Sequence, residues 1–117
     1  MGVVTTLGIR VRSLNEREHP QAKAKRVAQE RGVTRLACNA PCAQFRARPP
    51  ERMTITLTRI GPKAFDSDNN VGALKHVRDG VADALSLDDA DPRLTWVYLQ
   101  DCRERRYAVR IELDCEE

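Results

Sequence analysis

The segment MTITLTRI at positions 53–60 constrains the fold more than any other part of the sequence, because large apolar residues and threonine alternate along it. Successive side chains of a strand point to opposite faces, so Met53, Ile55 and Leu57 share one face with Arg59. The threonines and the final isoleucine occupy the other face, and a Gly-Pro pair ends the run. The pattern predicts a strand that is apolar on one side.

A helical pattern follows this strand. Apolar residues recur at helical spacing as far as Leu85, and Asp68 or Asn69 is suited to cap the helix. Two β-rich runs come next, at residues 94–100 and 107–113, and we expect them to pair as an antiparallel hairpin.

The N-terminal half predicts one strand and one basic helix. Residues 3–11 are rich in β-branched side chains, and a polar, Ala-rich and Arg/Lys-rich segment starts at Glu16. Because Pro20 is tolerated only in a first turn, the helix begins near His19 or a separate loop precedes it. The proline-containing residues 39–51 read as a connector. The order βαβαββ predicts an α+β fold, a mixed sheet with two main helices packed against it, in a single domain over residues 1–117.

Charge is distributed unevenly along the chain. Residues 1–63 carry 13 Lys and Arg against 4 Asp and Glu, whereas residues 64–117 carry 7 against 13. This asymmetry suggests a basic surface for a polyanion beside an acidic cluster, although two solvated faces that neutralise each other have the same composition. No apolar stretch approaches the roughly 20 residues of a membrane span, and the start lacks the layout of a secretory signal, so a cytoplasmic protein is expected.

The four cysteines, at positions 38, 42, 102 and 115, lack the paired spacing typical of zinc sites. We therefore expect reduced cysteines without a metal role, and the alternative is a zinc or disulfide cluster formed in the fold.

Two pairs of aspartates flank the second helix. Asp66 and Asp68 follow the strand, and Asp88 and Asp89 lie in the turn after the helix. A helix of about 16 residues is about 24 Å long, so a shared site requires the turn to fold back. Aspartates at these positions also serve as helix caps and turn residues.

This acidic pattern resembles a known family. The run Asp66-Ser67-Asp68-Asn69, an amphipathic helix ending in Asp-Ala-Leu, and Asp88-Asp89 look like the D-x-D-N, helix, D-A-L, D-D signature of RusA-like Holliday junction resolvases. The resemblance covers about residues 52–113 and extends to uncharacterised phage and prophage proteins. It implies a homodimeric, Mg²⁺-dependent endonuclease that cuts branched DNA in a bacterial host cell, with Mn²⁺ as a possible substitute.

The resemblance also implies roles for individual residues. Asp66, Asp68, Asp88 and Asp89 would bind the metal, and Asn69 would cap the helix and orient the cluster. The position of the family's lysine is Gly72 here. Lys75 can replace it, since it follows Asp68 by seven residues and so stays on the same helix face. Apart from the resemblance, the charge of the basic helix predicts contacts with DNA phosphates through five residues: Lys23, Lys25, Arg26, Arg31 and Arg35.

A second function fits the same sequence, a phage-encoded DNA-binding or assembly protein in which the aspartates are structural and catalysis is absent. The two hypotheses differ in geometry. Catalysis requires the carboxylates to converge in one exposed cleft, whereas structural aspartates need not approach one another.

Overall fold

The computed structural model describes residues 2–14 and 16–115, which form one mixed four-stranded sheet and three helices. The elements are β1 (Gly2–Leu7), α1 (Pro20–Ala47), β2 (Met53–Ile60), α2 (Ser67–Ala73), α3 (Lys75–Leu85), β3 (Leu94–Asp101) and β4 (Ala108–Cys115). The sheet order is β1-β4-β2-β3, with β3 parallel to β2 and β4 antiparallel to both of its neighbours. The predicted α+β class is confirmed.

The apolar face of β2 forms the centre of the core, as its alternation predicts. Met53, Ile55 and Leu57 are at most 1% exposed. Opposite them on β4 stand Leu113, which pairs with Ile55, and Ile111, which pairs with Leu57. Helices α1 and α3 pack on this side of the sheet, so the core lies between one helical layer and one face of the strands.

The predicted hairpin between the last two strands is wrong. β2 lies between β3 and β4, and its last residue, Ile60, pairs with Asp101 on one side and Ala108 on the other. The loop from β3 to β4 therefore crosses the end of β2, a span of two strand spacings or about 10 Å. All four residues 57–60 are buried, as is typical of a central strand.

Helix α1 begins next to His19, which is one of the two predicted alternatives, and it ends later than predicted. His19 is the N-cap, and its Nδ1 accepts a hydrogen bond from the backbone N–H of Gln21 at 3.2 Å, with a proline at the first helical position. The helix continues through Pro41 to Ala47, so the connector is only residues 48–52. Buried side chains on one face, Cys38, Cys42 and Phe45, hold this stretch against the core. Neither α1 nor another helix of the described residues is apolar enough to cross a membrane.

The second predicted helix is divided in two. Asp66 caps α2, shortly before the predicted cap at Asp68 or Asn69, and α2 meets α3 at Leu74, which is fully buried. Helix α3 then crosses α1 very closely. A Cβ atom built on Gly80 would lie 2.6 Å from the Cβ of Thr34, so the crossing has no room for a side chain at position 80.

Candidate functional site

Asp66 acts as a helix cap in this structure. Its Oδ1 accepts a hydrogen bond from the backbone N–H of Asn69 at 2.9 Å, and its Oδ2 accepts one from Asn69 Nδ2 at 3.0 Å. Asn69 was expected to be the cap, but it is the donor to the cap. Asp68 lies exposed in the first turn of α2, where its negative charge is favoured by the helix dipole.

Asp88 and Asp89 stabilise the turn after α3. The Oδ1 of Asp88 accepts a hydrogen bond from the backbone N–H of Ala90 at 2.9 Å. The Oδ2 of Asp89 forms an ion pair with the Nε of Arg78 at 3.0 Å, and its backbone carbonyl accepts from Trp96 Nε1 at 2.8 Å. Both residues therefore have structural partners of the kind expected in turns.

The structure does not bring the two aspartate pairs together. Asn70 of α2 donates a hydrogen bond to the carbonyl of Leu99, near the end of β3, whereas Asp89 is bonded to Trp96 near its beginning. These two points on β3 are about 10 Å apart by strand rise. No group of three or more His, Cys, Asp or Glu in the described residues could hold a metal ion. The four aspartates therefore do not fit the expected Mg²⁺ cluster.

Asp88 and Asp89 instead line an acidic recess near the end of α3. This recess has a volume of about 230 Å³, and Asp79, Asp83 and Arg31 also line it. Arg31 forms a two-point ion pair with Asp83, with nitrogen-to-oxygen distances of 2.6 and 2.8 Å. The ion pair raises the pKa of Arg31 and lowers that of Asp83, so both stay charged.

Lys75 lies near the start of α3 and lines a larger cavity of about 470 Å³. We call this cavity the α1 pocket. Three further cations from other elements line it, Arg12 before α1 and Lys23 and Arg26 on α1, as does His76. Four basic side chains from three parts of the chain thus surround one opening.

Carboxylates neutralise only part of this charge. The Nε of Arg26 pairs with Glu18 at 2.9 Å, and its Nη1 pairs with Glu30 at 2.6 Å. The hydrogen bond from Arg26 lowers the pKa of Glu18, whereas burial raises that of Glu30. Among the described residues, Lys23 and Lys75 have no ion pair, so they are free to bind an anion.

His76 contributes little positive charge to the α1 pocket near neutral pH. Burial lowers its pKa, and this effect is larger than the opposing effect of Asp79, whose Oδ2 lies 3.9 Å from the His76 Nδ1. The histidine therefore lines the pocket mainly in its neutral form.

The basic residues predicted on α1 do not share one face. Lys23 and Arg26 line the α1 pocket, but Lys25 is about 200° around the helix from Lys23. Arg31 pairs with Asp83 in the acidic recess, and Arg35 is exposed farther along the helix. Only two of the five predicted phosphate-binding residues thus belong to one site.

A third cavity, of about 270 Å³, adjoins the α1 pocket. We call it the Arg59 pocket, after a buried arginine at the end of β2; Arg10, Lys63, Phe65 and Tyr107 also line it. Both cavities share the residues at positions 13 and 16, so they lie side by side along the chain segment before α1.

Sequence reasoning did not select Arg10, Arg12, Arg59 or Lys63 for this region. Arg59 alone gave a signal, since it is a charged residue on the otherwise apolar face of a strand. Arg10, Arg12 and Lys63 lie in loops, where basic residues are common. Their proximity depends on how the loops pack and is not visible in any local pattern.

Trp96 and Tyr98 share a face of β3 and pack against the core. The Tyr98 hydroxyl accepts a hydrogen bond from Arg78 at 2.7 Å, and the Arg78 guanidinium lies over the Trp96 ring. These aromatic rings are therefore structural in the described fold.

Comparison with known proteins adds no further assignment. No protein-family model and no curated protein matches the sequence.

Proposed function

We propose that this protein binds DNA through its phosphate backbone, with the α1 pocket as the principal contact. One observation carries the proposal: Lys75, Lys23 and Arg12 converge on one cavity from separate elements, and neither lysine forms an ion pair with a described carboxylate. Cations placed in this way attract a polyanion and release its bound counterions. The acidic recess lies farther along α3 and would repel the same ligand, which favours binding near the start of that helix.

The test compares lysines on opposite sides of α1. We expect Lys23→Gln and Lys75→Gln to weaken binding to a duplex and to a four-way junction, and Lys25→Gln to leave binding nearly unchanged. Fluorescence anisotropy at several salt concentrations measures both the affinity and its salt dependence. Equal weakening in the Lys23 and Lys25 variants would contradict a specific role of the α1 pocket.

Cleavage of branched DNA is the second candidate function. The resemblance to RusA-like resolvases suggests it, and the position of α2 favours it. This helix begins beside Phe65, which lines the Arg59 pocket, and ends at Gly72 and Ala73, which line the α1 pocket. The chain segment that carries Asp66 and Asp68 therefore connects residues that line the two basic cavities.

Cleavage is tested with four-way junctions, flaps and linear duplex in the presence of Mg²⁺ or Mn²⁺. Metal-dependent cutting that Asp68→Asn abolishes, with DNA binding retained, would establish the nuclease. Binding without cleavage of any branched substrate would leave DNA binding as the function. In that case the protein would be a non-catalytic DNA-binding protein, and the aspartates would have structural roles alone.

A homodimer belongs to the same proposal, because a branched junction has two equivalent strands. Two exposed apolar side chains one turn apart on α1, Val33 and Leu36, offer a surface for a second copy; Leu36 is 70% exposed. Light scattering with and without DNA tests this. A monomer under both conditions would exclude it, and loss of the dimer in Leu36→Glu would locate the interface.

A further inference from the structure

Arg59 carries a buried positive charge that has no carboxylate partner among the described residues. Its side chain is 2% exposed, and its Nη2 donates to two neutral oxygens, the carbonyl of Lys63 and the Oε1 of Gln100 at 2.7 Å. The Nε is buried and has no hydrogen-bond partner. Burial of an unpaired charge is costly, and such groups in native proteins usually have a ligand or a partner.

The surroundings hold the guanidinium in one place. It stacks on the ring of Phe65, with 3.8 Å between its Cζ and the ring centroid. On another side it lies against Gly61, where a Cβ atom would come within 2.7 Å of Nη1. A planar cation with a fixed position and an N–H group that has no partner is suited to bind an oxyanion.

Two further cations line the same pocket. Arg10 and Lys63 are both exposed, and Glu16 is the one acid among the described residues that line the cavity. Glu16 is already engaged, since it accepts a hydrogen bond from the backbone N–H of residue 13 at 3.0 Å and pairs with Arg10 at 3.4 Å. The Arg59 pocket thus has an excess of positive charge, and its 270 Å³ would accommodate a phosphate group.

We propose that the Arg59 pocket is a binding site for a single phosphate group, with Arg59 as the fixed donor and Lys63 and Arg10 completing the charge. Burial lowers the pKa of Arg59, but an arginine side chain remains protonated at neutral pH and can donate to the phosphate oxygens. The phosphate is either free in solution or at the 5′ end of a nucleic acid strand. This site adjoins the α1 pocket, but phosphate binding in it does not depend on DNA binding there.

The first arm of the test uses inorganic phosphate with the full chain. We expect phosphate to raise the melting temperature in a saturable way, relative to chloride at the same ionic strength. Lys63→Gln should weaken the apparent affinity about tenfold, as expected for the loss of one charge-assisted hydrogen bond. Gly61→Ala should have a similar effect because it displaces the Arg59 guanidinium without removing it, and Lys25→Gln is the matched control outside the pocket.

The second arm distinguishes the source of the phosphate. A 5′-phosphorylated oligonucleotide that binds more tightly than the same oligonucleotide with a 5′-hydroxyl, with the difference lost in Lys63→Gln, identifies a strand end. Stabilisation by inorganic phosphate with no difference between the oligonucleotides identifies free phosphate. The proposal is overturned if phosphate and chloride act alike and the two oligonucleotides bind equally, or if Lys63→Gln and Gly61→Ala respond like the unmodified protein.

Discussion

Gly80 of α3 lies directly against Thr34 of α1, at a distance that leaves no space for a Cβ atom. We expect Gly80→Ala to destabilise the fold by about 1–3 kcal/mol, because the two helices must move apart or distort. Gly32→Ala on α1 is the matched control. A Cβ atom there meets nothing within 4 Å, so that variant should gain about 0.4–1 kcal/mol. Urea unfolding measures both, and a gain in stability for Gly80→Ala would contradict the close crossing.

Asp66 should stabilise the metal-free protein by capping α2. Replacement by alanine removes both hydrogen bonds with Asn69 and should cost about 1 kcal/mol, whereas Asp66→Ser should retain most of the stability. Carboxylates crowded into a cation site would behave in the opposite way, since removing one would relieve repulsion. The free energy of unfolding of each variant is measured in the presence of a chelator. A higher stability of Asp66→Ala than of the unmodified protein would favour the metal site.

The salt dependence of DNA binding should identify the lysines that bind phosphate. Neutralising one phosphate-binding lysine reduces the slope of log affinity against log salt by about 1. The double variant Lys23→Gln/Lys75→Gln should therefore lower the slope by about 2, and Lys25→Gln should leave it unchanged. A slope that falls by the same amount for each charge removed, Lys25 included, would mean that only the net charge matters.

Glu30 should make the fold less stable as pH rises. Burial raises its pKa in the folded protein above the ordinary value near 4.5, although Arg26 acts in the opposite direction. The unfolded chain therefore loses this proton at lower pH than the folded protein does. Tighter proton binding stabilises the folded protein below about pH 4.5, and this stabilisation is lost as pH rises through the pKa of Glu30 in the folded protein. The melting temperature of Glu30→Gln should rise relative to the unmodified protein between about pH 4 and 7. Glu51→Gln, at an exposed position, is the control for removal of a glutamate charge. Parallel pH profiles for Glu30→Gln and the unmodified protein would exclude this effect.

The cysteines should differ in their reactivity toward thiol reagents. Cys102 is exposed, whereas Cys38 and Cys42 are fully buried on α1. Burial raises the pKa of Cys38 to about 12 and that of Cys42 to about 11, so little thiolate forms at either site. Cys102→Ser should therefore remove the fastest phase of labelling at pH 8. Rapid labelling of Cys38 or Cys42 in the folded protein would contradict the packing of α1.

Local sequence patterns predicted the strands and helices better than they predicted which strands pair. Alternation in β2 and helical spacing before Leu85 both correspond to elements of the fold. The pairing of β3 with β2 could not be predicted in this way, because a run of β-rich residues is equally compatible with either neighbour. Pro41 similarly suggested a connector, but burial of Cys38 and Cys42 outweighs the loss of one backbone hydrogen bond.

The same contrast holds for the candidate site: local patterns identified residues but not their neighbours in space. Asp66 and Asp68 were predicted close to the start of a helix, with the cap at Asp68 or Asn69 and not at Asp66. A capping aspartate and a metal ligand have the same sequence signature. The distinction depends on which N–H groups face the carboxylate in space. Arg59 was visible as a charge on an apolar face, but its lack of a partner carboxylate among the described residues appears only when the strands and loops are packed.

The position of β4 between β1 and β2 determines when the sheet can be assembled during synthesis. β4 is the last described element to leave the ribosome, and β1, the first, pairs with β4 alone, beginning with Gly2 opposite Asp114. β1, which is rich in β-branched residues, therefore remains unpaired until almost all of the described chain has been translated. Contacts of such long range form slowly, and a nascent chain in this state is a natural client for chaperones.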